Sequence, residues 1–217
     1  DAILGGRDAG GEPLPHDPLA WVSLDLGPAG RGRVVRSPRS LAGGWDLWVP
    51  ASQREVMMER LVAEGATLAV EDATERARIL AGIPRFGIDA TDDRLPTEVG
   101  YDAAIAYDKG CYAGQEVMAR IRTYGHVNRR LCRLRCSGET VPERGAAITA
   151  EVEAAESGET PESRIVGAVT SATLDPSTGT AVALGLIRYR AASVGTPVTI
   201  EGVGPATIDL VIGDPPA

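Results

Sequence analysis

The 217-residue chain contains almost no lysine: arginine supplies nearly all its cations, and Lys109 stands alone. Phenylalanine is just as rare, with Phe86 its only copy, and aromatics make up 4% of the residues. The core must therefore be aliphatic, drawn from Val, Ile, Leu and Ala. Hydrophobic residues reach 43%, which is ordinary for a globular protein with a real core. Cysteine is limited to Cys111, Cys132 and Cys136, with no CxxC pair. That is too few, and too clustered, for a secreted disulfide scaffold. Two histidines exclude a rich metal site, and no metal is expected. No apolar run approaches the roughly 18 residues a membrane helix needs. The N-terminal stretch carries Gly, Pro and Asp rather than a basic start and an apolar core, so no signal peptide is expected and the cytoplasm is the predicted location. The first residue is Asp1, and the chain is expected to be a fragment. A net charge of −8 disfavours wholesale binding to nucleic acid or anionic membrane.

Gly 26 and Pro 15 are plentiful, and they punctuate two kinds of periodicity. "LAWVSLDL" alternates, with Val22, Leu24 and Leu26 on one face, and reads as a half-buried strand. "RVVRS" and "WDLWV" are shorter strands. "PASQREVMMERLVAEG" then reads as a helix, opened by a Ser52–Glu55 capping box and carrying a Met57, Met58, Leu61, Val62 stripe. "ATLAV" reads as a strand. "EDATERARILAG" reads as a second helix capped by Asp72 or Thr74, stopped by Gly82 and blocked by Pro84. A long irregular stretch follows, then "AAIAY" as a brief strand. A third helix is predicted to begin between Cys111 and Gln115 and to end before Gly125, with Ala113, Val117 and Ile121 on one face. After it come six strand-like segments without helical period: "RRLCRLRC", "AAITAEV", "RIVGAVTSAT", "AVALGLIR", "PVTIEG" and "ATIDLVIG". Six short strands predict a closed or nearly closed β-barrel. The acidic "EAAESGETPES" reads as a solvated loop inside it. The fold class is α+β followed by a small C-terminal barrel, with domains at 1–127 and 128–217.

The chemistry concentrates in "YDKGCYAGQEVMARIRTYGHVNRRL". A thiol reacts as thiolate, and helix N-termini and nearby cations favour that form. Cys111 is placed at or just before the first helical turn, Lys109 is two residues away, and Arg120 can approach from the helix. Gly110 and Gly114 permit a tight turn and close approach of a ligand. Unpaired amides there would also form an anion site. On the residues alone, an activated cysteine and a buried structural cysteine remain equally open. Cys132 and Cys136 share strand parity with Leu134 and read as core. Arg120, Arg122, Arg129, Arg130, Arg133 and Arg135 form the one basic patch. It could bind RNA phosphates or a polyacidic ligand, or be a solvated face neutralised by the many acids. His126 lacks a second ligand, so a metal role is not expected there.

"KGCYAGQE" resembles the K-G-C-Y-x-G-Q-E signature of the YgfZ folate-binding protein family, relatives of the glycine-cleavage T-protein (aminomethyltransferase). "RILAGIPRFGID" resembles that family's R-x-x-A-G-I-P-x-x-G-x-D stretch, with Leu95, Pro96 and Glu98 following as its "LP-E". "GAVTSATLDPSTGTAVALGLIR" resembles its C-terminal barrel. The resemblance covers roughly residues 45–217. It implies a partial T-protein-like, ferredoxin-like α+β domain, of the type also found in a tRNA-modification GTPase, before the barrel. It implies tetrahydrofolate or a one-carbon derivative as cofactor, and a role in iron–sulfur cluster assembly or repair and thereby in tRNA modification. Partners would be iron–sulfur assembly proteins or clients, and tRNA through the Arg120–Arg135 patch. Cys111 becomes the functional thiol, with Lys109, Gly110, Tyr112, Gly114, Gln115 and Glu116 as its motif. Arg78, Gly82 and Arg120 are expected to line the folate pocket. Two departures stand out. T-proteins place a pterin-contacting glutamate where this chain has Leu80, and family chains carry a further stretch before the matched region, which in T-proteins holds the acid proposed for aminomethyl transfer. The alternatives are a folate-dependent aminomethyl or one-carbon transferase, for which Asp89, Asp92 and Asp93 are nearby acids, and a tRNA-binding module without catalysis.

Overall fold

The structure, a computed structural model, describes residues 14, 17–25, 27, 30–37, 39–125, 127–152 and 162–213. The chain divides into two compact units, Asp1–Ala81 and Gly82–Ala217. The predicted acidic loop lies mostly, and His126 wholly, outside the described residues.

In the first unit, strands β1 (Trp21–Asp25), β2 (Arg31–Arg36) and β3 (Trp45–Trp48) form an antiparallel sheet in sequence order. Register sets Val22 opposite Val34 and Val34 opposite Leu47, so one face is an aliphatic row. Of the predicted inward residues, Val22 packs on the core and Leu26 lies outside the described residues; Trp21, on the other face, is largely exposed with Arg33 stacked over its ring at 4.6 Å. Helix α1 (Arg54–Ala63) lays Met57 and Leu61 on the same cluster, one helical turn apart. Helix α2 (Glu71–Leu80) carries Glu71 and Asp72 in its first turn, where the helix dipole favours acids.

Three local expectations for this unit are corrected. Ser52 lies inside a 3-10 turn, Ala51–Gln53, so Gln53 becomes the N-cap and the capping box does not form. Asp72 and Thr74 lie within α2 instead of capping it; Val70 is the N-cap, and the Thr74 hydroxyl donates to the Glu71 carbonyl at 2.7 Å. "ATLAV" is irregular and exposed, because a β-prone segment becomes a strand only when a neighbouring strand completes its ladder. The helical stripe is also narrower than predicted, since Val62 points to solvent.

In the second unit the barrel begins at Arg129, and residues 82–128 group with it in the compact division. "AAIAY" is not a strand; a 3-10 turn, Asp102–Ala104, leads into an irregular segment. Helix α3 spans Gln115–Tyr124 and ends at Gly125. All six predicted barrel strands are present: β4 (Arg129–Cys136), β5 (Ala147–Val152), β6 (Glu162–Asp175), β7 (Thr180–Arg188), β8 (Pro197–Ile200) and β9 (Gly204–Val211). They close in the order β4-β7-β6-β5-β8-β9, and closure removes exposed strand edges. Cys132, Leu134 and Cys136 point into the barrel with Ile148, Val169, Ile187, Ile200 and Ile208. Each large aliphatic side chain buried this way contributes about 1.5–3 kcal/mol. β7 is buried on both faces, Ala181 to Ile187 without interruption, so the barrel wall is covered outside as well as filled inside. Among the described residues, no helix is long and apolar enough to cross a membrane.

Candidate ligand-binding site

The motif around Cys111 and the "LP-E" turn meet in the second unit. The Glu98 carboxylate accepts the Leu95 amide at 3.3 Å and closes the 3-10 turn Pro96–Glu98. Glu98 is buried and structural. Gly114 then takes φ +85°, a backbone that side-chain-bearing residues rarely adopt, and serves as the N-cap of α3. The helix therefore starts at Gln115, four residues beyond Cys111. Gly110 has an ordinary φ, so the turn's conformational demand falls on Gly114 alone.

Between these pieces lies a cleft of about 400 Å³, within the size range of small-molecule sites. Leu95, Pro96, Ile105, Ala113, Val117 and Met118 supply an apolar wall, and Lys109, Tyr112 and Gly114 bring the motif to it. The Lys109 ammonium stacks over the Tyr112 ring at 4.7 Å. The Tyr112 hydroxyl is buried and, among the described residues, has no hydrogen-bond partner. An unsatisfied buried hydroxyl costs about 1–3 kcal/mol. Cys111 is exposed beside the cleft rather than part of its wall. Val117 and Ala113, predicted to share a helix face with Ile121, border this cleft, while the residue α3 buries is Met118.

The remaining predicted site residues have other engagements. Glu116 pairs with Arg120 one turn along, at 2.8 Å on the solvent face. Gln115 donates its amide to the Tyr112 carbonyl at 3.2 Å, tying the motif to the helix. Arg78 belongs to the first unit, buried, its Nε 2.8 Å from Glu75. Gly82 has φ +72°, and a Cβ there would lie 2.9 Å from Leu210 Cδ2.

Three of the six arginines of the patch, Arg120, Arg133 and Arg135, are paired with acids. Arg133 makes a two-pronged contact with Asp209 at 2.9 and 3.0 Å, Arg135 reaches Asp175 and Asp209, and Arg122 stacks over Tyr107 at 4.5 Å. Arg130 donates to the Ile212 carbonyl at 3.3 Å. Among the three acids, Asp89 is 2% exposed and saturated by hydrogen bonds from Ser171, Thr170 and the Arg85 amide. Asp93 accepts from the Thr91 hydroxyl, which holds its carboxyl below the usual carboxylate range, and it pairs with Arg94. Asp92 is exposed. Sequence reasoning missed Ile105 and Met118 as cleft residues: they are ordinary apolar positions whose local pattern carries no sign of a pocket.

An α+β chain ending in a closed six-stranded barrel, with a cleft against its preceding loops, defines the class of protein. Residues 129–216 match the glycine cleavage T-protein C-terminal barrel domain. An aminomethyltransferase of Thermosynechococcus vestitus is 28% identical over 168 residues, 77% of this chain and 43% of that protein. A chloroplastic protein of Arabidopsis thaliana, named provisionally as a transferase, is 34% identical over 140 residues, 64% of this chain and 29% of its own length. The crystal structure of the glycine cleavage system aminomethyltransferase T from Bartonella henselae superimposes with a TM-score of 0.70 at 19% identity, covering 96% of this chain and 55% of that one. That likeness shows the fold. The barrel match and the aminomethyltransferase relatives support a likeness to the glycine-cleavage T-protein-like superfamily. The chain spans less than half the length of the two sequence relatives.

Proposed function

We propose that the protein binds a reduced folate in the Tyr112 cleft and presents Cys111 at its rim, in the service of iron–sulfur cluster assembly or repair. The apolar cleft lined by Leu95, Ile105, Val117 and Tyr112, with Lys109 at its edge, carries this reading: it fits a flat ring system that bears a carboxylate tail. Lys109 at the same cleft offers a cation to the carboxylates such a ligand carries. A bound folate would supply a carrier for one-carbon units; Tyr112 would hold its ring and Lys109 its charge. The iron–sulfur role rests on the resemblance of "KGCYAGQE" to the YgfZ signature. Calorimetry with tetrahydrofolate tests the first half: saturable binding is expected, and absence of heat at millimolar ligand overturns it. Complementation tests the second. Cys111→Ser is expected to keep folate binding and to fail in restoring iron–sulfur enzyme activity to cells lacking the protein; full restoration removes the thiol from the mechanism.

A second reading, folate-dependent aminomethyl or one-carbon transfer, is favoured by the named activity of the Thermosynechococcus relative. Such chemistry needs a proton carrier near the reacting nitrogen. Release of formaldehyde or ammonia from an aminomethyl donor, dependent on tetrahydrofolate, would support it. No turnover under conditions where folate binds would leave the accessory role standing.

A further inference from the structure

We infer a second ligand site, for a small multivalent oxyanion, in an arginine-lined cavity on the wall of the barrel. The cavity holds about 420 Å³, and its lining includes Arg94, Arg129, Arg144 and Arg188 with a single carboxylate, Asp89. It shares no lining residue with the Tyr112 cleft and does not depend on the folate reading.

Arg129 and Arg188 are register partners across the β4–β7 ladder. Directly opposed residues in an antiparallel pair share a face with Cβ atoms only about 5 Å apart, and like charges there oppose pairing. Neither makes an ion pair within 4 Å among the described residues. The contrast with the rest of β4 is sharp, because Arg133 and Arg135 on the same strand are met by Asp209 and Asp175. The carboxylates near the cavity are committed. Asp89 is taken up by Ser171, Thr170 and the Arg85 amide; Asp93 is exposed, pairs with Arg94 and feels Arg129 only as a distant charge. Arg144 is held in place by donating to the Ile88 carbonyl at 3.3 Å.

In a protein of net charge −8, the four guanidiniums outnumber the two carboxylates beside them, Asp89 and Asp93, and leave a local positive excess at the concavity. Guanidinium forks match the paired oxygens of carboxylate and phosphate alike. The cavity also has apolar wall, from Ile165, Val166 and Leu186, so it fits a compact ligand with two or more oxyanion groups on a small body.

The test is calorimetry and thermal melting of the whole chain with pyrophosphate and, separately, citrate, at fixed ionic strength. At least one is expected to bind saturably and to raise the melting temperature; which one does so identifies phosphate or carboxylate as the source. The double variant Arg129→Gln/Arg188→Gln is expected to bind at least tenfold more weakly while melting at the same or higher temperature without ligand, because a like-charge pair has been relieved. Arg190→Gln, on an exposed residue outside the cavity, is expected to bind as the parent does. Three results overturn the site: no saturable binding of either anion, equal binding by parent and double variant, or a salt-sensitive shift with RNA in place of any small-anion binding.

Discussion

Asp89 and Ser171, far apart in sequence, meet in a 2.7 Å hydrogen bond buried between the Ile83–Ala90 loop and strand β6. Thr170 donates to the same carboxylate oxygen. Consecutive residues of a regular strand point to opposite faces, so both hydroxyls could not reach one atom. They do so because the β6–β7 register shifts between Val169 and Ser171, leaving Thr170 as the extra residue of a bulge. Asp89 is thus the clasp between the loop and the barrel wall. Asp89→Asn is expected to destabilise the protein by about 1.5–3 kcal/mol, the scale of hydrogen bonds to a charged group. A double-mutant cycle with Ser171→Ala in urea should return a coupling of about 1 kcal/mol. Simple additivity would mean the two side chains are energetically independent.

Tyr112→Phe should separate stability from binding. Removing a buried hydroxyl without a partner is expected to leave the melting temperature unchanged or raise it, by up to about 1 kcal/mol of stability. Tetrahydrofolate binding should change by less than about threefold in Tyr112→Phe, and Tyr112→Ala, which removes the ring from the cleft wall, should weaken it by about tenfold or more. An alanine variant that binds undiminished places the ligand elsewhere.

The three cysteines should differ in reactivity. Cys111 is exposed, whereas Cys132 and Cys136 are buried in the barrel, where desolvation pushes the Cys136 thiol above its ordinary range. Brief alkylation of the native protein at neutral pH, read by peptide mass spectrometry, should modify Cys111 alone. Labelling of Cys136 at a similar rate would contradict a closed barrel.

Acid should loosen the β6–β7 turn. The Ser177 hydroxyl donates to Asp175 at 2.6 Å and the Ser177 amide at 2.9 Å, with Arg135 nearby, and these hold the Asp175 carboxyl below the usual range. A carboxylate depressed in the folded state adds stability above its unfolded pKa of about 3.9, and that stability is lost as pH falls through the lower folded value. Asp175→Asn should therefore melt below the parent at pH 7, with the gap closing as pH drops from about 4 towards 2. A gap independent of pH would assign the effect to packing rather than charge.

Much of this architecture was legible in the sequence because it is written in short periods. Strand-like runs without helical period, separated by turn signals, marked the six barrel strands, alternation marked β1, and Gly125 marked the end of α3. The inward parity of Cys132, Leu134 and Cys136 followed from the same two-residue repeat. "ATLAV" and "AAIAY" misled for a related reason: β-prone composition reports what a segment can do, not whether a neighbour stands ready to pair with it.

The sequence by itself determined the six barrel strands, the third helix with its glycine stop, and the conspicuous Lys109–Cys111 motif, all of which depend on residues within a few positions of one another. The tertiary structure alone decided which charges are free. Six arginines crowded along the chain looked like one patch, yet Arg133 is met by Asp209, 76 positions away. Arg129 is instead set against Arg188, beside Arg94 and Arg144, which no local pattern connects. Charge neutralisation acts over a few ångströms of space, and only the closing of the barrel fixes which residues come that close.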